Sequence, residues 1–119
     1  MEDLLTVLNP ILPATLAQGP TKFMGIVRLS DNYYGHRIDI RLVPAENYPF
    51  ALLYFTGSQK FNILMRNVAI SMGLKLNEYT LSDSKGKNYK ANSEEDIFKI
   101  LNLKYVAPKD RVKNIQNLI

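Results

Sequence analysis

The hydrophobic period of this chain changes from strand-like to helical at Pro44, and that change restricts the fold more than any other feature. Residues 36–43, HRIDIRLV, alternate strictly, with His36, Ile38, Ile40 and Leu42 on one side and Arg37, Asp39, Arg41 and Val43 on the other. Period two marks a β-strand with one face on a core. Beyond Pro44 the period becomes helical. In QKFNILMRNVAISM, the apolar positions 61, 64, 65, 68, 69 and 72 form one stripe at i, i+3, i+4 spacing. Strands followed by helices predict an α+β fold rather than alternating βαβ units.

The punctuation fills in the rest. EDLLTVL predicts a short helix over 2–8, stopped by Pro10 and Pro13. Gly19-Pro20 opens a strand, TKFMGIVRL, and SDNYYG favours a turn, so this strand and HRIDIRLV form an antiparallel hairpin. AENYPFALLYF is a short helix with Pro49 in its first turn. Ser58 is the expected N-cap of the next helix and Gly73 its left-handed C-terminal cap. Short strands are expected over 74–81 and 87–91 around the turn SDSKG. A helix then follows in SEEDIFKILN, with Ser93 as N-cap and acids in its first turn.

Composition narrows the chemistry. The chain has no cysteine, which excludes disulfides and cysteine-based zinc sites, and a single histidine, His36, which excludes multi-histidine metal sites. Its 119 residues make one domain or one lobe of something larger, and the net charge of +4 raises the chance of a polyanionic partner. No stretch approaches the ~20 apolar residues of a membrane span, so no membrane partner is expected. The start lacks the basic region of a secretory signal. An intracellular location is expected, nuclear in a eukaryote.

Three features carry candidate chemistry. The face Arg37–Asp39–Arg41 sets one carboxylate between two guanidinium groups, roughly 6–7 Å to either side along a strand. That pattern suits a solvated ion-pair ladder or a metal ligand. YFTGS, residues 54–58, reads as helix stop, glycine turn and N-cap, with two aromatics at the junction. Gln59, Asn62 and Arg66 share a polar strip opposite the apolar stripe, with Ile63 on the same strip, which is either a solvated face or an amide and a guanidinium reaching base edges.

Taken together, GPTKFMGIVRL, HRIDIRLVP, ALLYFTGSQKFNILMR, LNEYTL, EEDIF and KYVAPKDR resemble the C-terminal part of family X DNA polymerases, closest to the polymerase beta type, from about Leu4 to Arg111. The resemblance implies antiparallel palm strands over 1–44 and a small helix-rich α+β thumb, the nucleotide-selecting lobe, over 45–119. It places Asp39 as the third catalytic carboxylate and a metal ligand. Arg37 and Arg41 flank it on the primer phosphate and the acid cluster. Tyr54, Phe55, Thr56 and Gly57 stand beside the incoming nucleotide's sugar, with Gln59 next to its base and Asn62 on the base's minor-groove edge. Arg66 lies on the template strand with Glu78 and Tyr79 packed near it, and Thr21 and Lys22 hold the primer backbone.

The resemblance also implies two Mg²⁺ ions, a deoxynucleoside triphosphate and primer–template or gapped DNA as ligands. Yet the family takes its other two aspartates from a D-x-D strand preceded by a G-S motif, and no such strand occurs here. Two bridged ions need several carboxylates. The expectation is therefore a polymerase segment serving gap-filling repair, completed in cis or in trans by an upstream palm segment and inactive alone. The alternatives are a non-catalytic nucleic-acid-binding module, which would set Lys22, Arg41, Arg66 and the basic tail on phosphates, and a partner-docking domain.

Overall fold

A computed structural model describes residues 1–112. The chain divides into two compact units, Met1–Val43 and the part from Pro44 on.

In the first unit, α1 (Glu2–Leu8) leads through a single 3-10 turn at Asn9–Ile11 into β1 (Ala14–Gln18), β2 (Lys22–Val27) and β3 (His36–Arg41). The three strands form one antiparallel sheet in the order β1-β2-β3. The expected β2–β3 hairpin is present, with Lys22 opposite Arg41, Met24 opposite Asp39 and Ile26 opposite Arg37. The unexpected element is β1. ATLAQ has little β-propensity and all five residues are exposed, but pairing with β2 draws it into the sheet across an irregularity between Thr15 and Ala17.

The apolar side of β3 is covered less than its alternation implies. Ile38 and Ile40 are half-buried while His36 and Leu42 are exposed. The buried anchor is Phe23 on central β2, which lines a groove with Leu5, Leu12 and Thr15 on the α1 side of the sheet. Its ring folds over Gly25, where a Cβ would come within 2.5 Å of the ring and 2.6 Å of the Ala14 carbonyl oxygen. Only a glycine lets β1 and the Phe23 ring approach β2 this closely.

In the second unit, a 3-10 turn at Ala45–Asn47 precedes α2 (Tyr48–Thr56), with Pro49 in its first turn, and α3 (Gln59–Ser71) follows. Gly57 ends α2 at a φ of 71°. Ser58 caps α3 as expected, its Oγ accepting from the Phe61 N–H at 3.2 Å. Gly73 takes a φ of 75° after α3. Of the predicted stripe, Phe61, Met65 and Ala69 are buried, but Met72 is exposed beyond the helix end. The core joins them to Phe50 and Leu53 of α2, Leu76 and Leu81 of a two-stranded sheet, and Ile97, Phe98 and Leu101.

That small sheet differs from expectation. Strand β4 covers only Leu74–Leu76, the chain reverses at Asn77–Thr80, and β5 is Leu81–Asp83. The reversal is imposed by Asn77, whose Oδ1 accepts from the N–H groups of Tyr79 and Thr80 at 2.8 and 2.9 Å, closing an Asx turn. Residues 87–91 add only a bridge between Asn88 and Ser82. Ser93 does stand at the N-cap of α4 (Glu94–Ile100), yet its side chain makes no capping bond. Asp96 Oδ2 instead accepts from the Asn92 N–H at 2.9 Å.

Candidate functional site

The predicted site residues fall into two local groups, one in each unit. In the first, antiparallel register puts Lys22, Met24 and Ile26 of β2 on the same face as Arg37, Asp39 and Arg41 of β3. Arg37 Nε donates to Asp39 Oδ1 at 3.1 Å, and Arg37 Nη2 lies 3.8 Å from Met24 Sδ. Both members of the ion pair are more than half exposed, so the pair itself adds little stability. What it does is hold the carboxylate in one orientation on an open, cationic surface. Lys22 and Arg41 are direct cross-strand neighbours on it. Thr21 stands beside them, its carbonyl accepting from the Leu42 N–H at 2.8 Å.

Among the described residues, no group of three or more His, Asp or Glu side chains is placed to hold a metal ion. Asp39 is the one carboxylate in the register-matched set on its face. The residues present therefore do not by themselves fit a two-ion centre.

The second group gathers around Tyr54, where α2 gives way to α3. Asn62 Nδ2 donates to the Tyr54 carbonyl at 2.7 Å, which reaches back across the Gly57 turn. Arg66, one turn further along α3, sets its guanidinium 5.3 Å from the centre of the Tyr54 ring. The Tyr54 and Phe55 rings meet edge to face at 5.0 Å. The Asn62 amide is thus fixed, with a second N–H and its carbonyl oxygen still available to a ligand. Thr56, Gln59 and Ile63 are exposed around this cluster. Glu78 and Tyr79 sit in the β4–β5 turn, whose Asn77 shares a small pocket with Tyr54, Asn62 and Arg66. The sequence strip of Asn62 and Arg66 is a real cluster, whereas Gln59 lies at its exposed edge.

One residue escaped sequence reasoning. Arg111 is 1% exposed. Its Nη1 donates to Glu94 Oε2 at 2.6 Å and its Nε to the Val106 carbonyl at 3.0 Å. Its guanidinium lies 5.4 to 5.8 Å from the ring centres of Phe61, Phe98 and Tyr105. Its carbonyl accepts from Ser58 Oγ at 3.1 Å, tying the residues after α4 to the α3 cap. The available signal was an acid-rich first turn on α4 and an aromatic residue six positions before a lone arginine.

The family model for the DNA polymerase beta thumb matches residues 51–112, and the chain belongs to that family. It is polymerase beta-like, of the family X type. DNA polymerase lambda of Rattus norvegicus is 39% identical over 102 residues, covering 76% of this chain and 18% of that protein. DNA nucleotidylexotransferase of Xenopus laevis is 37% identical over 106 residues, covering 82% and 21%. A ternary gap complex of Leishmania infantum polymerase beta superposes with a TM-score of 0.80 at 34% identity, over 94% of this chain and 48% of that one. The chain thus spans about a fifth of the curated relatives and about half of the solved chain.

Proposed function

We propose that this chain acts as the palm-strand and thumb portion of a gap-filling DNA polymerase, adding a deoxynucleotide to a primer 3′-hydroxyl under template direction. The observation that carries the proposal is the Tyr54–Asn62–Arg66 cluster. It fixes an amide and a guanidinium one helical turn apart, immediately after a glycine turn, within the segment the thumb family matches.

In this reading the free Asn62 N–H meets the acceptors that every base pair presents in the minor groove, so it checks pair geometry without reading sequence. Tyr54, Phe55, Thr56 and Gly57 form the wall beside the nucleotide's sugar, with Gln59 at the base. Arg66, with Glu78 and Tyr79 nearby, faces the template. On the sheet, Thr21, Lys22 and Arg37 hold the primer backbone. Asp39, aligned by Arg37 and neighboured by Arg41, supplies one ligand toward magnesium. The other carboxylates come from a palm segment outside this chain, in cis or in trans.

Binding of gapped DNA tests the interface apart from the chemistry. With about 3–5 phosphates neutralised, log K should fall with log salt at a slope of about −3 to −4, without sequence preference. A salt titration of fluorescent gapped DNA reads this directly. A salt-independent affinity, or strong preference for one sequence, contradicts the reading.

A further inference from the structure

The charge of the chain is unevenly placed. Residues 1–43 hold four Lys or Arg and four Asp or Glu, so the whole excess of +4 resides in the second unit. Its densest cluster is not at the candidate site. Lys85, Lys87 and Lys90 fall within six residues that contain no acid, and all three are exposed.

This segment is ordered. Asp83 Oδ1 accepts from the N–H groups of Lys85 and Lys87, both at 2.9 Å. The Asp83 N–H donates to the Lys87 carbonyl at 3.0 Å, the Gly86 N–H to the Asp83 carbonyl at 3.2 Å, and the Tyr89 N–H to the Leu81 carbonyl at 2.8 Å. Gly86 takes a φ of 83° to close the turn. Lys87 Nζ lies 5.1 Å from the centre of the Tyr89 ring, which directs that side chain along the loop. The nearest acid in sequence is thus engaged in folding the loop. Exposed Lys75 extends the patch, because it pairs with Ser82, and Ser82 bridges Asn88.

We infer that the loop Lys85–Lys90 is a second phosphate-binding surface, one that grips the backbone of a DNA duplex away from the Tyr54–Asn62–Arg66 cluster. The inference rests on the proposed DNA-binding function. Several lysines carried on a hydrogen-bonded loop backbone, with no carboxylate among residues 85–90, match a row of phosphates. A solvated loop gains nothing from such an array, since like charges held close together repel. The lysines have no planar fork to read a base edge, so the contact is sequence-independent.

The test compares the intact chain with two double variants of equal charge, Lys85→Gln/Lys87→Gln and Lys60→Gln/Lys99→Gln. Each is titrated with salt against fluorescein-labelled gapped DNA and, in parallel, against poly-glutamate. The inference expects the loop variant to lose about 2 from the slope of log K against log salt, while the control changes by less than about 0.5. Equal changes in both variants, or no change in the loop variant, overturn the inference but leave the DNA-binding reading standing. Binding of poly-glutamate in preference to DNA also overturns it, in favour of an acidic polypeptide. Failure of the unaltered chain to bind DNA at low salt removes both.

Discussion

Asp39→Ala, placed in a polymerase that has all its other active-site carboxylates, is expected to abolish nucleotide addition while leaving DNA binding intact. The expected loss is on the order of 10³-fold or more, since a bound metal supplies several kcal/mol of transition-state stabilisation and each 1.36 kcal/mol is a factor of ten. Binding should hold or improve slightly, because the substitution removes the negative charge from a face that carries Lys22, Arg37 and Arg41. Steady-state primer extension and DNA anisotropy on the same preparations separate the two effects. Normal turnover by the variant would mean that Asp39 is a surface ion-pair partner of Arg37 and nothing more.

Arg111→Ala is expected to be the most damaging single substitution for the fold of the second unit, at about 3–5 kcal/mol. It strands the Glu94 carboxylate, which is 11% exposed, and empties the space between Phe61, Phe98 and Tyr105. Replacing both partners by apolar residues, as in Glu94→Leu/Arg111→Met, should recover much of the loss, because the penalty comes from the unpaired buried charge. The pair is not ideal as it stands, since Arg111 Nη2 is buried without a hydrogen-bond partner among the described residues. Urea unfolding of the two variants measures the difference. A loss below about 1 kcal/mol for Arg111→Ala would contradict the role assigned to the buried pair.

The parts of this fold that the sequence discloses are those whose local signals agree with their tertiary setting. HRIDIR alternates and is a strand; Ser58 and Gly73 bracket α3 because a hydroxyl acceptor and a residue tolerant of positive φ are needed at those two places. The hidden parts depend on partners distant in sequence. ATLAQ is a strand only because β2 offers it an edge. The β4–β5 reversal depends on the rotamer of Asn77, which its sequence neighbours do not announce. Arg111 is buried because Glu94, 17 positions away, meets it, whereas arginine taken alone is a surface residue.

The candidate site divides along the same line. Asn62 and Arg66 share a face because helical spacing requires it, so their strip is visible in the sequence. That Asn62 is fastened to the Tyr54 carbonyl, and Arg66 stacked on the Tyr54 ring, depends on how Gly57 turns α2 into α3. The face of β3 carrying Arg37, Asp39 and Arg41 follows from alternation alone, but the neighbouring Lys22 and Met24 follow only from register.

Primer extension by the chain alone, and by the chain joined to a palm segment carrying the G-S and D-x-D motifs, tests the central claim most directly. With one carboxylate on the β3 face, the rigorously purified chain should add no nucleotide to a gapped or primed template in magnesium and deoxynucleoside triphosphates. The joined protein should extend the primer by templated addition, and the chain should contribute Asp39 to that activity. Robust extension by the chain alone would contradict the account, as would a joined protein that binds DNA but stays inactive.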